Sequence, residues 1–405
     1  MEYRVCVIGG GPAGLTAALT AAEQGFRTTL LERGERVGKK LLLTGNGRCN
    51  YTNLHIDAGC YHEAENGFAM QALKHFGPQE SIAWLRELGI EPTEKNEGWI
   101  YPRSEQAGSV LNALRECCMQ NGVRIVTAAV IRRIRRRKDA VFQVMTETEM
   151  ILADRLILAT GGKSYSTTGS DGSGYCYATD FGHHLVEPLP ALCGLHCAEK
   201  EFFRSTAGVR VRGKAELLIN GAVKEQAEGE IQLNAYGLSG IPIFQLSRTA
   251  SIAWKRGKKV EVVVHFLPEI ADLGSFLQQR LRLTLLRNLE LAGNGLMNKN
   301  LWNALLKRAQ LKPGASLEHL GREEISNLQE TLEAQRFRVL RTADFEQAQV
   351  TTGGIDTGEI DPETMESRLV PGLRFAGEIM NVDGICGGYN LQWCWTSGKL
   401  AGGRT

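Results

Sequence analysis

The sequence predicts an α/β fold in which a Rossmann-like nucleotide-binding domain is made discontinuous by a long insertion. Three observations carry this reading. Residues 3–33, YRVCVIGGGPAGLTAALTAAEQGFRTTLLER, run from an apolar strand through glycines into an alanine-rich helix and back to a strand, the pattern of a βαβ unit. RLILATGG, residues 155–162, is a continuous apolar run closed by a glycine pair, as in a buried parallel strand that delivers a loop to a ligand. After residue 349 the chain returns to strand, glycine-rich loop and helix, closing back on the domain where it began.

Composition bounds the partners. With 405 residues, 43% hydrophobic and 23% charged, the chain has the balance of a globular protein of two or three domains. A net charge of +2 and a pI near 8.0 give no global electrostatic reason to expect nucleic acid or an anionic membrane. A small-molecule substrate is the expected partner, and oligomeric state stays open. The first strand begins almost at once, without a charged leader or a run long enough to span a bilayer, so the expected compartment is the cytoplasm. Ten cysteines in so long a chain are then thiols, most of them small buried residues.

In the first unit, Gly9 makes the tight turn, Gly11 lets backbone approach a pyrophosphate, and Gly14 lets helix and strand pack closely. The helix N-terminus offers N–H groups and a positive dipole end to phosphate. Ala18 and Gly25 fit helix–strand packing, and Glu32, ending the second strand, accepts ribose hydroxyls while disfavouring a 2′-phosphate. The ligand is FAD or NAD. LLLTGNGRCNYTN, residues 41–53, follows as a loop too polar for a core strand. Helices are expected over 79–88 and 104–121, the second capped by Ser104 and stopped by Asn121 and Gly122. Residues 123–152 read as a β-meander turning near Lys138 and Asp139. From Pro188 the pattern changes: 208–233 and 258–266 read as strands, 272–336 as leucine-rich helix, and 191–345 as an inserted substrate or cap region.

The fingerprint together with GKKLLLTGNGRCNYTN, LATGGKSYSTTGSDGSGY, GEIQLNAYGLSGIPIFQLSR and PGLRFAGEIMNVDGICGGYNLQWCWTSG resembles one family of bacterial flavoproteins. It includes 3-dehydro-bile-acid Δ4,6-reductase and aminoacetone oxidases. The resemblance implies a glutathione-reductase-type FAD domain over 1–190 plus 346–405, an inserted β-domain over 191–270 plus 337–345, and a helical subdomain over 271–336. It implies that Gly9, Gly11, Pro12, Ala13, Gly14 and Glu32 hold the ADP half of FAD, with Val130 meeting the adenine. Lys40, Thr44, Arg48 and Cys49 are expected along the flavin side, Cys49 as a compact wall residue rather than a nucleophile. Thr160, Gly161 and Gly162 are expected at the pyrophosphate, and Gly377 and Asp383 in a second FAD motif. Asn390 and Leu391 would bring N–H groups at a helix start near the isoalloxazine carbonyl. Two departures are visible: Asn46 stands where relatives often carry glycine, which positive φ tolerates, and Leu233–Asn234–Ala235–Tyr236 replaces a common Phe-Thr-His-Phe, which leaves specificity open.

Other features have competing readings. Tyr236 and Tyr389 are candidate proton donors to a substrate, with aromatic packing as the rival. Arg48, Glu378 and Asp383 could be ordinary surface or loop charges. Ser239–Pro242 fits a helix start. Cys193, His196 and Cys197 lack a fourth ligand at normal spacing, so no metal is expected. Cys117 and Cys118 fall within a helix, without the Cys-x-x-Cys of a redox pair. RRIRRRK, 132–138, reads as a solvated turn rather than a nucleic-acid patch. His183 and His184, near a helix end, could cap carbonyls.

The expected activity is FAD-dependent hydride transfer through flavin N5, from NAD(P)H to an activated C=C such as a 3-oxo-bile-acid enone. No second GxGxxG is present, so NAD(P)H would dock transiently. The alternatives are an aminoacetone oxidase releasing peroxide from O₂ and a flavin-containing nucleic-acid-binding protein.

Overall fold

The computed structural model describes residues 3–63, 67–96, 98–283 and 287–404. The chain forms two units, Met1–Leu189 with Gln349–Thr405, and Pro190–Ala348.

In the first unit, β1 (Arg4–Ile8), α1 (Pro12–Glu23) and β2 (Arg27–Leu31) make the βαβ core. Proline at the start of α1 costs no hydrogen bond, because the first N–H groups of a helix have no intrahelical acceptor. A 14-residue helix, α2 (Ala107–Gln120), leads to β3 (Arg124–Val126). Its N-cap is Gln106 rather than Ser104, whose hydroxyl instead meets that of Ser109 at 3.0 Å. The other predicted helix spans Pro78–Glu87.

Next comes an antiparallel meander of β4 (Ile131–Arg136), β5 (Phe142–Thr146) and β6 (Met150–Ala153). Ile131 and Ile134 pack inward while the arginines of β4 face solvent, where Arg132 pairs with Glu147 and Arg137 with Asp139. Strand β7 (Arg155–Leu158) is buried along its whole length, as its unbroken apolar run predicts.

The second unit is built on a closed barrel of β8 (Leu195–Cys197), β9 (Arg210–Ile219), β10 (Ala222–Asn234), β11 (Gly237–Ser239), β12 (Val260–His265) and β13 (Gln335–Thr342), in the order β8-β11-β10-β9-β12-β13. Closure removes exposed strand edges. Helix α3 (Ile241–Lys255) starts at Gly240 with Pro242 in its first turn and buries Ile243, Leu246 and Ala250 in the barrel's core. Helices at Leu273–Leu281, Lys299–Arg308 and Arg322–Glu333 add Leu277, Trp302, Leu305 and Leu328 to that core. Residues 284–286 of the leucine-rich stretch lie outside the described residues.

Back in the first unit, β14 (Leu373–Phe375) completes an all-parallel sheet of order β14-β7-β1-β2-β3. The chain ends in α4 (Tyr389–Gly402), which lies close against α1. Glycine makes this approach possible: a Cβ on Gly398 would come within 2.8 Å of the Ala13 carbonyl, and one on Gly402 within 2.4 Å of that of Ala17. The carboxyl end of α4 is held by cations, as its dipole favours. Arg374 donates to the carbonyls of Ala401 and Gly403, and Arg155 to that of Gly403 at 2.7 Å. Burial lowers the Arg374 pKa to about 10. Among the described residues no helix is long and apolar enough to cross a membrane.

Candidate functional site

The carboxyl ends of β1, β2, β7 and β14 open on one cleft of the first unit, of about 1280 Å³ including its mouth. This is where a parallel sheet delivers loops to a ligand. At its centre, Gly9 adopts φ +110°, and a Cβ there would lie 2.3 Å from the Ala159 carbonyl oxygen. A Cβ on Gly14 would lie 1.9 Å from the oxygen of Gly9, so only glycine lets α1 sit this close to β1. Gly11 differs: a Cβ would meet nothing within 4 Å and would project into the cleft. That empty cradle, facing the N–H groups of the first turn of α1, suits a diphosphate.

At one end of the cleft the Glu32 carboxylate accepts the N–H groups of Gly10 at 2.8 Å and Gly34 at 2.6 Å. Those bonds fix it and leave lone pairs for sugar hydroxyls. The loop after β7 is fastened to the same place. Arg33 donates to Asp171 at 2.9 Å, to Ser173 at 3.1 Å and to the Gly169 carbonyl at 3.2 Å. In the wall, the hydroxyls of Thr160 and Ser170 are buried without a hydrogen-bond partner, an arrangement that costs free energy unless a ligand answers it.

At the other end, Lys40 and Glu378 form an ion pair at 2.6 Å, and Thr44 turns its hydroxyl to the Leu41 carbonyl. Asn390 and Leu391 bring the start of α4 to the cleft. Asn390 fixes that start by donating to the Gly384 carbonyl and accepting the Gly384 N–H, both at 2.8 Å. Trp393 donates its indole N–H to the Gly377 carbonyl at 3.3 Å, and burial pushes the Cys394 thiol up to about 12.

The cleft collects Gly9, Gly11, Pro12, Ala13 and Glu32 from the fingerprint. It also collects Lys40, Thr44, Thr160, Gly161, Asn390 and Leu391. Gly14, Gly162 and Gly377 stand behind the wall: Gly162 against Thr351, and Gly377, at φ +77°, against Ala13 and Cys394. Asp383 is buried on a short strand paired with Tyr61–Glu63.

Four placements differ from the sequence reading. Val130 is not among the lining residues; its neighbours Ala129 and Ile131 are, because alternate residues of an extended segment share a face. Arg48 is exposed and lies over the Tyr101 ring at 5.7 Å, away from the cleft. Cys49 is fully buried in the core, with burial pushing its thiol up to about 12. Tyr389 donates its hydroxyl to the His55 carbonyl at 3.0 Å, outside the cleft lining, and burial raises its pKa. In the second unit, Tyr236 stacks on His196 at 4.6 Å and accepts a hydrogen bond from Asn234 at 3.2 Å.

His183 is no helix cap: its ring bridges Glu359 at 2.9 Å and Ser367 at 2.8 Å, and burial lowers its pKa. Among the described residues, no cluster of His, Cys, Asp and Glu could hold a metal ion. Sequence reasoning missed Ser170, Tyr177 and Trp393 as lining residues. The run of Ser and Gly around Ser170 was the available signal for the first; nothing in the linear pattern marked the others.

The chain matches the HI0933-like protein Rossmann domain over residues 3–404. It is 38% identical to a 3-dehydro-bile acid delta(4,6)-reductase of Clostridium scindens, over 98% of each chain. It is 31% identical to a ribosomal RNA dihydrouridine synthase of Escherichia coli, covering 98% of this chain and 96% of that one. Among solved structures, a 3-ketosteroid-delta4-(5alpha)-dehydrogenase from Rhodococcus jostii RHA1 matches at 16% identity with a TM-score of 0.46, over 99% of this chain and 96% of that one. The glycine cradle, the fixed carboxylate and the two orphaned hydroxyls fit a flavin dinucleotide. The chain belongs to the HI0933-like family and is an FAD-dependent oxidoreductase.

Proposed function

We propose that the protein reduces a carbon–carbon double bond conjugated to a carbonyl in a small molecule, with NAD(P)H as a transient electron donor. One observation carries this: two relatives alike along nearly their whole length bear names that describe the same chemistry on unlike molecules. One name specifies the delta(4,6) bonds of a 3-dehydro bile acid, the other the conversion of uridine to dihydrouridine. In both, the double bond is polarised by a carbonyl, so hydride adds at the far carbon and the oxygen takes up negative charge. The proposal takes the bile-acid-like enone as substrate, because that relative is the more similar of the two.

In this reading FAD, when bound, carries hydride between donor and substrate. The chain binds and orients it. Gly11, with the α1 N-terminus, would receive the diphosphate, Glu32 the ribose hydroxyls, and Ala129 and Ile131 the adenine. Thr160 and Ser170 would give their hydroxyls to phosphate or ribityl oxygens. The N–H groups at Asn390 and Leu391 would stabilise negative charge on the reduced ring. The ten cysteines, none in a disulfide, suit a cytoplasmic setting.

The test is anaerobic. Purified protein should bleach rapidly with NADH or NADPH and regain its flavin colour on addition of a 4-en-3-one steroid. Recolouring by uridine-containing RNA but not by the enone would replace the small-molecule substrate with the nucleic acid named by the second relative. Bleaching by aminoacetone alone, with peroxide formed on exposure to air, would overturn the reductase reading.

A further inference from the structure

Lys40 and Glu378 face each other in the cleft lining with side chains only 21% and 16% exposed. Glu378 does more than pair. Its second oxygen accepts the N–H of Thr351 at 2.8 Å. The Thr351 hydroxyl oxygen in turn accepts the N–H groups of Lys163 at 2.8 Å and Ser164 at 3.1 Å. A Cβ on Gly162 would lie 2.5 Å from that oxygen. One carboxylate therefore ties three cleft-forming segments: the one carrying Lys40, the loop after β7, and the strand Val350–Ile355.

A neutral amide could accept the Thr351 N–H equally well, so the backbone contact does not explain a charge at this position. Enclosing a carboxylate costs free energy that only a matching cation and hydrogen bonds offset. The charge is explained by Lys40. Negative charge arriving on the cofactor during reduction is favoured by an ammonium in the cleft lining and opposed by a carboxylate there. Held together, the two groups present nearly balanced charge.

We infer that Glu378 is a positioning residue that fixes the Lys40 ammonium in the cofactor cleft, and that this pair sets the reduction potential of bound FAD. The inference rests on the FAD assignment and is independent of which substrate is reduced. Removing either partner exposes the field of the other, so the two removals act in opposite directions.

The experiment is a dye-coupled anaerobic titration of the FAD-loaded protein and its variants, with no substrate present. Glu378→Gln should raise the midpoint potential and Lys40→Met should lower it. Lys40→Arg should stay near wild type, and the double variant should fall between the two single ones. Shifts of the same sign, or no shift in either variant, would overturn the inference. Should Glu378→Gln not fold, the contrast between Lys40→Met and Lys40→Arg decides: equal potentials in these two sink the proposal.

Discussion

Cys49 belongs to a glycine-rich loop beside a cofactor cleft, a sequence position that suits a reactive thiol, yet its side chain is fully buried in the core. The loop turns back through left-handed residues, Gly45 at φ +56°, Asn46 at +55° and Cys49 at +61°, and that reversal sends Cys49 inward and Arg48 outward. Linear spacing cannot show such a reversal, which is why both residues looked like cleft residues. Cys49→Ser should keep bound FAD and turnover while costing about 1–2 kcal/mol of stability in urea unfolding, because a hydroxyl replaces an apolar thiol in the core. Arg48→Ala should leave FAD affinity within about twofold of wild type by fluorescence titration, since only an exposed ion pair with Glu105 is lost. A large loss of FAD in that variant would put Arg48 back at the cofactor. Val130 failed for a simpler reason: in extended backbone an error of one residue changes the face.

Among elements, α1 was the most legible, because each glycine of its fingerprint answers a separate steric demand, and the structure separates those demands. Gly14→Ala drives a methyl into the Gly9 carbonyl and should cost about 3 kcal/mol or more even without cofactor. Gly11→Ala meets open space at an ordinary φ of −78°, so the cofactor-free protein should melt within about 1 kcal/mol of wild type. Its methyl occupies the diphosphate cradle, and FAD affinity should fall at least about tenfold. Equal losses of cofactor-free stability in the two variants would contradict this division. The insertion's strands and helices were also legible from their periodicity. Closure of six strands into a barrel was not, because pairing between β8 and β13 joins segments far apart in the chain and leaves no local mark. The same holds for Lys40 and Glu378, which meet only after the chain has gone through the whole insertion and returned.

For the whole molecule, buried thiols make stability depend on pH. Burial raises Cys6, Cys49, Cys118 and Cys394 each to about 12, above the ordinary value of 9.0. Between those values the unfolded chain releases thiol protons that the folded chain keeps. Unfolding therefore becomes easier as pH rises, by up to about 1.4 kcal/mol per pH unit for each thiol. The urea midpoint should hold steady below about pH 9 and fall above it; a flat profile to pH 11 would mean that these thiols reach solvent. Function depends on a different property of the molecule, a flavin cleft assembled from both ends of the chain, and its central claim is reduction of a carbonyl-conjugated double bond. The most direct measurement is the reoxidation rate of NAD(P)H-reduced protein mixed anaerobically with a 4-en-3-one steroid in a stopped-flow instrument. The account predicts rapid return of the flavin absorbance with one saturated product per flavin; reduced flavin that persists with the enone and reoxidises only in air would contradict it.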